Sequence, residues 1–153
     1  MDETREPGIR VAQVYMSHAQ FAHSEHSHAL PADTAIPAGN LAINFRSGVT
    51  PDALKGFVAV RVESASGDSA LYQFSVEYMA FFEADPDRPN LDLRTFVQLN
   101  GAAFLFPFLR EAVANLTQRG RFGPVWIQPT NLSRLDAQHV PGNDETTEKL
   151  SPE

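Results

Sequence analysis

The strongest constraint on this chain is the run from Ala70 to Phe82, where Tyr72, Phe74, Val76, Tyr78, Ala80 and Phe82 share one parity and Gln73, Ser75 and Glu77 the other. A period of two puts successive side chains on opposite faces of a strand, so this segment is a long β-strand with an apolar face that needs cover. Phe57 to Glu63 repeats the pattern, with Val58, Val60 and Val62 on one face and Arg61 and Glu63 on the other. Between the two runs, Ser66-Gly67-Asp68 supplies turn chemistry, which predicts an antiparallel hairpin. Leu41 to Arg46 reads as a further half-buried strand through Leu41, Ile43 and Phe45. Ile9 to Met16 is a less regular first strand, joined to the next by a long connection containing His and Pro.

After Pro86 and Pro89 the periodicity changes to that of helices, over Leu91 to Asn100 and Pro107 to Arg119. The break is expected near Gly101 to Pro107. Proline has no amide hydrogen and clashes with the carbonyl four residues before it, so Pro107 is read as the first turn of a second helix. Leu109, Ala112, Val113 and Leu116 then form a buried stripe, and Gly120 is placed to end the helix in the left-handed conformation. Strands followed by helices give an α+β fold, a four-stranded antiparallel sheet with C-terminal helices packed on one face. Val60, Phe74 and Val113 are expected in its core.

The size of the chain, 153 residues, suits one domain with its own core. Its boundaries are read as a flexible N-terminus over residues 1–8, a folded domain over 9–140, and an acidic disordered tail over 141–153. In that tail, Asp144, Glu145, Glu148 and Glu153 stand against Lys149 alone. The longest apolar stretch, Gly101 to Leu109, is too short for a bilayer crossing, and no signal peptide is recognised at Met1. The expectation is a cytoplasmic protein, which the lack of cysteine suits; that lack also excludes disulfides, thiolate metal sites and cysteine nucleophiles. A net charge of -7 opposes non-specific attraction to nucleic acid or anionic lipid and favours a basic partner surface.

No phosphate loop, dinucleotide fingerprint, HExxH or nucleophile elbow occurs, so the chain is read as a non-enzyme without a cofactor. Imidazole is the commonest metal ligand, and His18, His23, His26 and His28 lie close together beside Glu25. No helix fixes two of them on one face, so a solvated connection is preferred over a metal site. Arg110-Glu111 directly follows the apolar run that ends in Phe108-Leu109, and is read as a pair orienting a helix near a subunit contact. Val125-Trp126-Ile127, Leu132 and Leu135 extend the apolar content past the last helix; they are either core or an exposed groove for an apolar partner.

Three blocks together resemble a known family: Phe106-Pro107-Phe108-Leu109-Arg110-Glu111, Arg119-Gly120-Arg121-Phe122 and Pro129-Thr130-Asn131-Leu132. They are similar in order and spacing to the signature of SecB-type molecular chaperones, in which a Leu-Phe-Pro-Tyr-x-Arg-Glu helix leads to Arg-Gly-x-Phe-Pro and Pro-x-Asn-Phe. The resemblance spans about Ile9 to Leu135 and is specific from Leu105 to Leu132. It implies a homotetramer, a dimer of dimers, that holds unfolded polypeptides in surface grooves without ATP. Usual clients are preproteins kept export-competent for the SecA motor, while some SecB-like members protect an antitoxin.

The same resemblance implies client-binding roles for Leu41, Ile43 and Phe45, for Val125, Trp126 and Ile127, and for Leu132. The connection carrying Leu30 and Ile36 corresponds to the crossover loop along the groove. Two departures stand out. Leu135 to Gly142 is too short and too polar to match the family's long final helix. The acidic position that receives the SecA tail aligns with Ser75, with Glu77 on the same side; this weakens SecA docking and adds weight to an antitoxin client. The rival from another class is a metal- or small-molecule-binding protein using the His-rich connection, and a third reading is a purely structural oligomerisation module.

Overall fold

A computed structural model describes residues 8–36, 41–64, 71–87 and 92–128. The chain forms β1 (Ile9–His23), a 3-10 turn (Glu25–Ala29), β2 (Leu41–Val49), β3 (Lys55–Ser64), β4 (Tyr72–Ala84) and α1 (Leu93–Thr117). The strands make one sheet in the order β1-β4-β3-β2, every neighbouring pair antiparallel. The hairpin residues Ser66-Gly67-Asp68, residues 1–7 and the segment from 129 onward lie outside the described residues.

The register explains why β4 reads so clearly and β1 so poorly. Phe74, Val76, Ala80 and Phe82 face the helix, and Val58, Val60 and Val62 of β3 lie on that same face. In β1 the pairing with β4 shifts twice, between Val11 and Gln13 and between Met16 and His18. Each shift inserts an extra residue and inverts the alternation, so Val11, Val14, Met16, Phe21 and His23 share the helix side without a constant period. The strand therefore runs past Met16 to His23, held along the whole of β4 through Phe21 opposite Phe74 and His23 opposite Tyr72.

The helical segment departs from the two-helix expectation. α1 is one helix of 25 residues with Pro107 inside it, opened by Asp92, whose side chain accepts from the Thr95 amide. Pro107 removes one bond, to Ala103, but both residues lie on the exposed side, where water can serve the freed carbonyl. Leu105, Phe106 and Leu109 are buried on the other side and keep both halves on the sheet. Burial of side chains worth about 1.5–3 kcal/mol each outweighs the local preference for a break. Gly101 lets the helix approach β3, since a Cβ there would lie 3.1 Å from Val58.

The core lies between α1 and the sheet: Val58, Val60, Val62, Val76, Leu105, Leu109 and Val113 are fully buried, and Phe74 nearly so. Gly120 does not take the left-handed conformation; α1 ends at Thr117 and the positive φ falls at Gly123. Gly120 has another role. A Cβ at this position would lie 2.6 Å from the Tyr72 ring, so only glycine lets the chain pass over that tyrosine.

Candidate functional site

The segment after α1 is held by side chains of three elements, two strands and the end of the helix. Tyr72 at the start of β4 donates its hydroxyl to the Gly123 carbonyl and accepts from the Phe122 amide, both at 2.8 Å. Burial pushes the Tyr72 phenol above its usual range, with the Phe122 and Gly123 bonds opposing it. Thr117 in the last turn of α1 accepts from the Val125 amide at 2.8 Å. At the end of β1, His23 Nε2 accepts from the Arg121 amide at 3.0 Å.

The Arg121 side chain ties in the connection between β1 and β2. Its Nη1 donates to the carbonyls of Ser27, at 3.2 Å, His28, at 3.3 Å, and Leu30. Around this junction the rings of Phe21, His23, His28, Tyr72 and Phe122 pack together, with centroids 5.2 to 6.4 Å apart. Arg121 thus joins the stretch carrying Leu30 and Ile36 to the stretch carrying Val125 and Trp126. Arg-Gly-Arg-Phe was visible in the sequence as a block, but nothing there assigned Arg121 to backbone carbonyls or His23 to an amide.

The residues expected to line a client groove divide by depth. Ile43 and Ile127 are buried and belong to the core, which departs from the expectation of surface positions. Ile43 faces the helix opposite Val62, and the extended post-helix segment turns Ile127 inward. Leu30 is half-buried. Ile36, Leu41, Phe45 and Val125 are half-buried against the core, while Trp126, between Val125 and Ile127, is 57% exposed. Leu132 lies outside the described residues. Other large apolar side chains open to solvent are Val11, Tyr15 and Met16 of β1 and Leu99 and Phe108 of α1.

Ser75 and Glu77 share the sheet face away from α1, as their parity predicts. Ser75 donates to Glu63 at 3.4 Å. Glu77 is buried beneath two arginines, with Arg46 Nη2 3.3 Å from Oε1 and Arg61 Nε 3.3 Å from Oε2. Ser17, in the second shift of β1, donates to Oε1 at 2.6 Å. Burial raises the Glu77 carboxyl, yet Ser17, Arg46 and Arg61 outweigh it and hold the group below the usual glutamate range. This carboxylate is ionised but covered by positive charge.

The imidazoles do not form a metal cluster: among the described residues no group of three or more His, Cys, Asp or Glu could hold an ion. His18 pairs with Glu77 on the outer face, His23 faces the helix side, and His26 lies 3.4 Å from Ser24 Oγ. Arg110 and Glu111 are exposed on α1. No helix among the described residues is long and apolar enough to cross a membrane.

Sheet, helix, tethered post-helix segment and open apolar side chains together define a SecB-like α+β subunit. The family model described as preprotein translocase subunit SecB matches residues 2–142, and the chain belongs to that family. A protein-export protein SecB of Beijerinckia indica is 26% identical over 132 residues, covering 84% of this chain and 81% of the relative. Another, of Acidithiobacillus ferrooxidans, is 25% identical over 142 residues, covering 90% and 93%. Among solved structures, a Mycobacterium tuberculosis SecB-like chaperone in complex with a peptide from the HigA1 antitoxin aligns with a TM-score of 0.56. Its identity is 16%, covering 78% of this chain and 86% of that one. Membership in this chaperone family places the chain among proteins without catalysis.

Proposed function

We propose that the chain works in the cytoplasm as an ATP-independent holdase whose principal client is an unfolded segment of an antitoxin-type partner. The observation that carries the choice of client is the state of Glu77. A docking site for the SecA tail needs acidic charge on the open sheet face, whereas here the matching position is Ser75, and the Glu77 carboxylate two residues on is covered by Arg46, Arg61 and Ser17. The fold shared with a chaperone solved with an antitoxin peptide supports the same reading. Client contact falls to Trp126 with Leu30, Ile36, Leu41, Phe45 and Val125, on segments that Arg121 ties together or that border them. The exposed Leu99, Phe108, Val11 and Met16 support assembly into a homotetramer, since large apolar side chains left open on a helix and an edge strand call for a partner copy.

Delivery of preproteins to SecA is the second reading, favoured by the export function named for the relatives. Titration of the protein with an unfolded antitoxin segment, a model preprotein and the SecA C-terminal tail, each without nucleotide, separates the two. The expected result is binding of the unfolded segments and no binding of the SecA tail. Tight binding of that tail would restore the export reading, and a requirement for ATP or a divalent metal would remove the holdase reading.

A further inference from the structure

His23 joins the end of β1 to the segment that carries Trp126. Its Nε2 accepts the Arg121 amide proton, so the lone pair is on Nε2 and the ring proton on Nδ1. A protonated imidazole has donors at both nitrogens, and a donor facing the Arg121 N–H cannot replace that bond. The titratable or charged groups placed against His23 are Tyr72 from β4, His28 from the 3-10 turn and Arg121 from the post-helix segment. None of these contacts, among the described residues, is with a carboxylate. The Tyr72 phenol is neutral, Arg121 is a permanent cation, and a charged His28, its ring centred 5.6 Å away, would add repulsion.

We propose that His23 and Arg121 form a proton-sensitive latch that sets the spacing between the β1–β2 connection and the post-helix segment, and that protonation of His23 releases it. When Arg121 N loses its acceptor, the residue that also holds the Ser27, His28 and Leu30 carbonyls shifts, and both stretches loosen together. Both residues act by positioning others. The consequence for client hold rests on reading these two stretches as the walls of the client surface. The latch itself is a property of the free protein.

The test exploits Trp126, the one tryptophan in the chain, a few residues from Arg121. Its fluorescence is followed between about pH 8 and about pH 6, where imidazoles change charge, and above the pI of 5.1. Binding of a labelled, reduced and carboxymethylated model polypeptide is measured in parallel. The expected result is a reversible transition in Trp126 emission, with client affinity falling roughly three- to tenfold across it, the size of one lost hydrogen bond. His23→Gln keeps an acceptor that does not titrate and abolishes the transition, whereas His28→Gln retains it. Arg121→Met keeps the backbone amide that His23 accepts and so still shows the transition, but it lacks the side-chain tie to the Ser27, His28 and Leu30 carbonyls and so binds the polypeptide less tightly already at pH 8; unchanged far-UV circular dichroism verifies that each variant is folded.

A transition that persists in His23→Gln, or is absent from the wild-type chain, overturns the latch. If the transition follows His23 but no polypeptide binds at any pH, the latch stands and the client reading fails.

Discussion

The Ser17 hydroxyl donates a 2.6 Å hydrogen bond to Glu77, reaching it from an irregularity in the edge strand where the pairing of β1 with β4 shifts register. The extra residue that blurs the sequence periodicity thus supplies a partner to a carboxylate already flanked by Arg46 and Arg61. A bulge on an edge strand also discourages uncontrolled strand addition, so one irregularity serves two purposes.

The pH dependence of stability follows from that arrangement. The folded-state value of Glu77 lies below the ordinary 4.5, so its stabilisation is fully present above that value and disappears as pH falls through the depressed one. Urea midpoints measured from about pH 6 to about pH 3 should decline more steeply for the wild-type chain than for Glu77→Gln. At neutral pH the variant should be less stable by about 1–3 kcal/mol, because Arg46 and Arg61 lose the negative charge that both face. Equal pH profiles would mean that the cluster contributes nothing beyond its neutral hydrogen bonds.

Passage of the chain over Tyr72 gives a second prediction. Gly120→Ala places a methyl group 2.6 Å from the tyrosine ring, and overpacking of this kind costs about 1–3 kcal/mol. Tyr72→Phe leaves the Phe122 amide and the Gly123 carbonyl without their partner, at a similar cost. Because both changes act on one junction, thermal unfolding of the double variant should show less than the summed loss. Full additivity would show that Gly120 and Tyr72 are not coupled.

The sheet was legible because its signals are local: Val58, Val60 and Val62, and Tyr72 through Phe82, alternate without interruption. β1 was only half legible because two register shifts invert its alternation, and no rule of spacing reveals a bulge from one strand alone. The continuous α1 was missed for an energetic reason. Pro107 breaks a helix in isolation, but Leu105, Phe106 and Leu109 lie on the sheet side and carry the helix through. The junction was not legible because Arg121 contacts carbonyls, which have no residue signature, across a separation of more than ninety residues. Resemblance names groove positions by segment only; which residues of those segments point inward, as Ile43 and Ile127 do, depends on register and packing.

Assembly supplies a third prediction. Leu99 is 65% exposed on α1, and a residue that open contributes little to the core of its own subunit. Light scattering of the wild-type chain should give a multiple of the 16.9 kDa subunit mass, with four subunits expected. Leu99→Glu should lower that mass while leaving the circular dichroism unchanged, since charge at a buried contact is costly. A strictly monomeric wild-type protein would instead leave the exposed Leu99 and Phe108 of α1 available for clients.

The last prediction separates core from binding surface within two adjacent residues. Ile127 is fully buried and Trp126 is 57% exposed, although they follow one another in the same extended segment. Ile127→Ala should therefore destabilise the fold by about 2–5 kcal/mol, the usual cost of emptying a core site. Trp126→Ser should leave stability within about 0.5 kcal/mol, as for an open surface position. Its effect should appear in binding: burying about 100 Å² of indole at ~25 cal/mol per Å² gives at most about 2.5 kcal/mol before ordering costs, hence a roughly tenfold loss of affinity for an unfolded client. Phe45→Ser combines both effects, because Phe45 is half-buried against the core on the helix side of β2, and is a poorer probe than Trp126 alone. Denaturant midpoints and client titrations on the three variants decide the matter. If Trp126→Ser unfolds the chain, the indole is structural; if it binds clients as the wild type does, the client surface lies away from the post-helix segment.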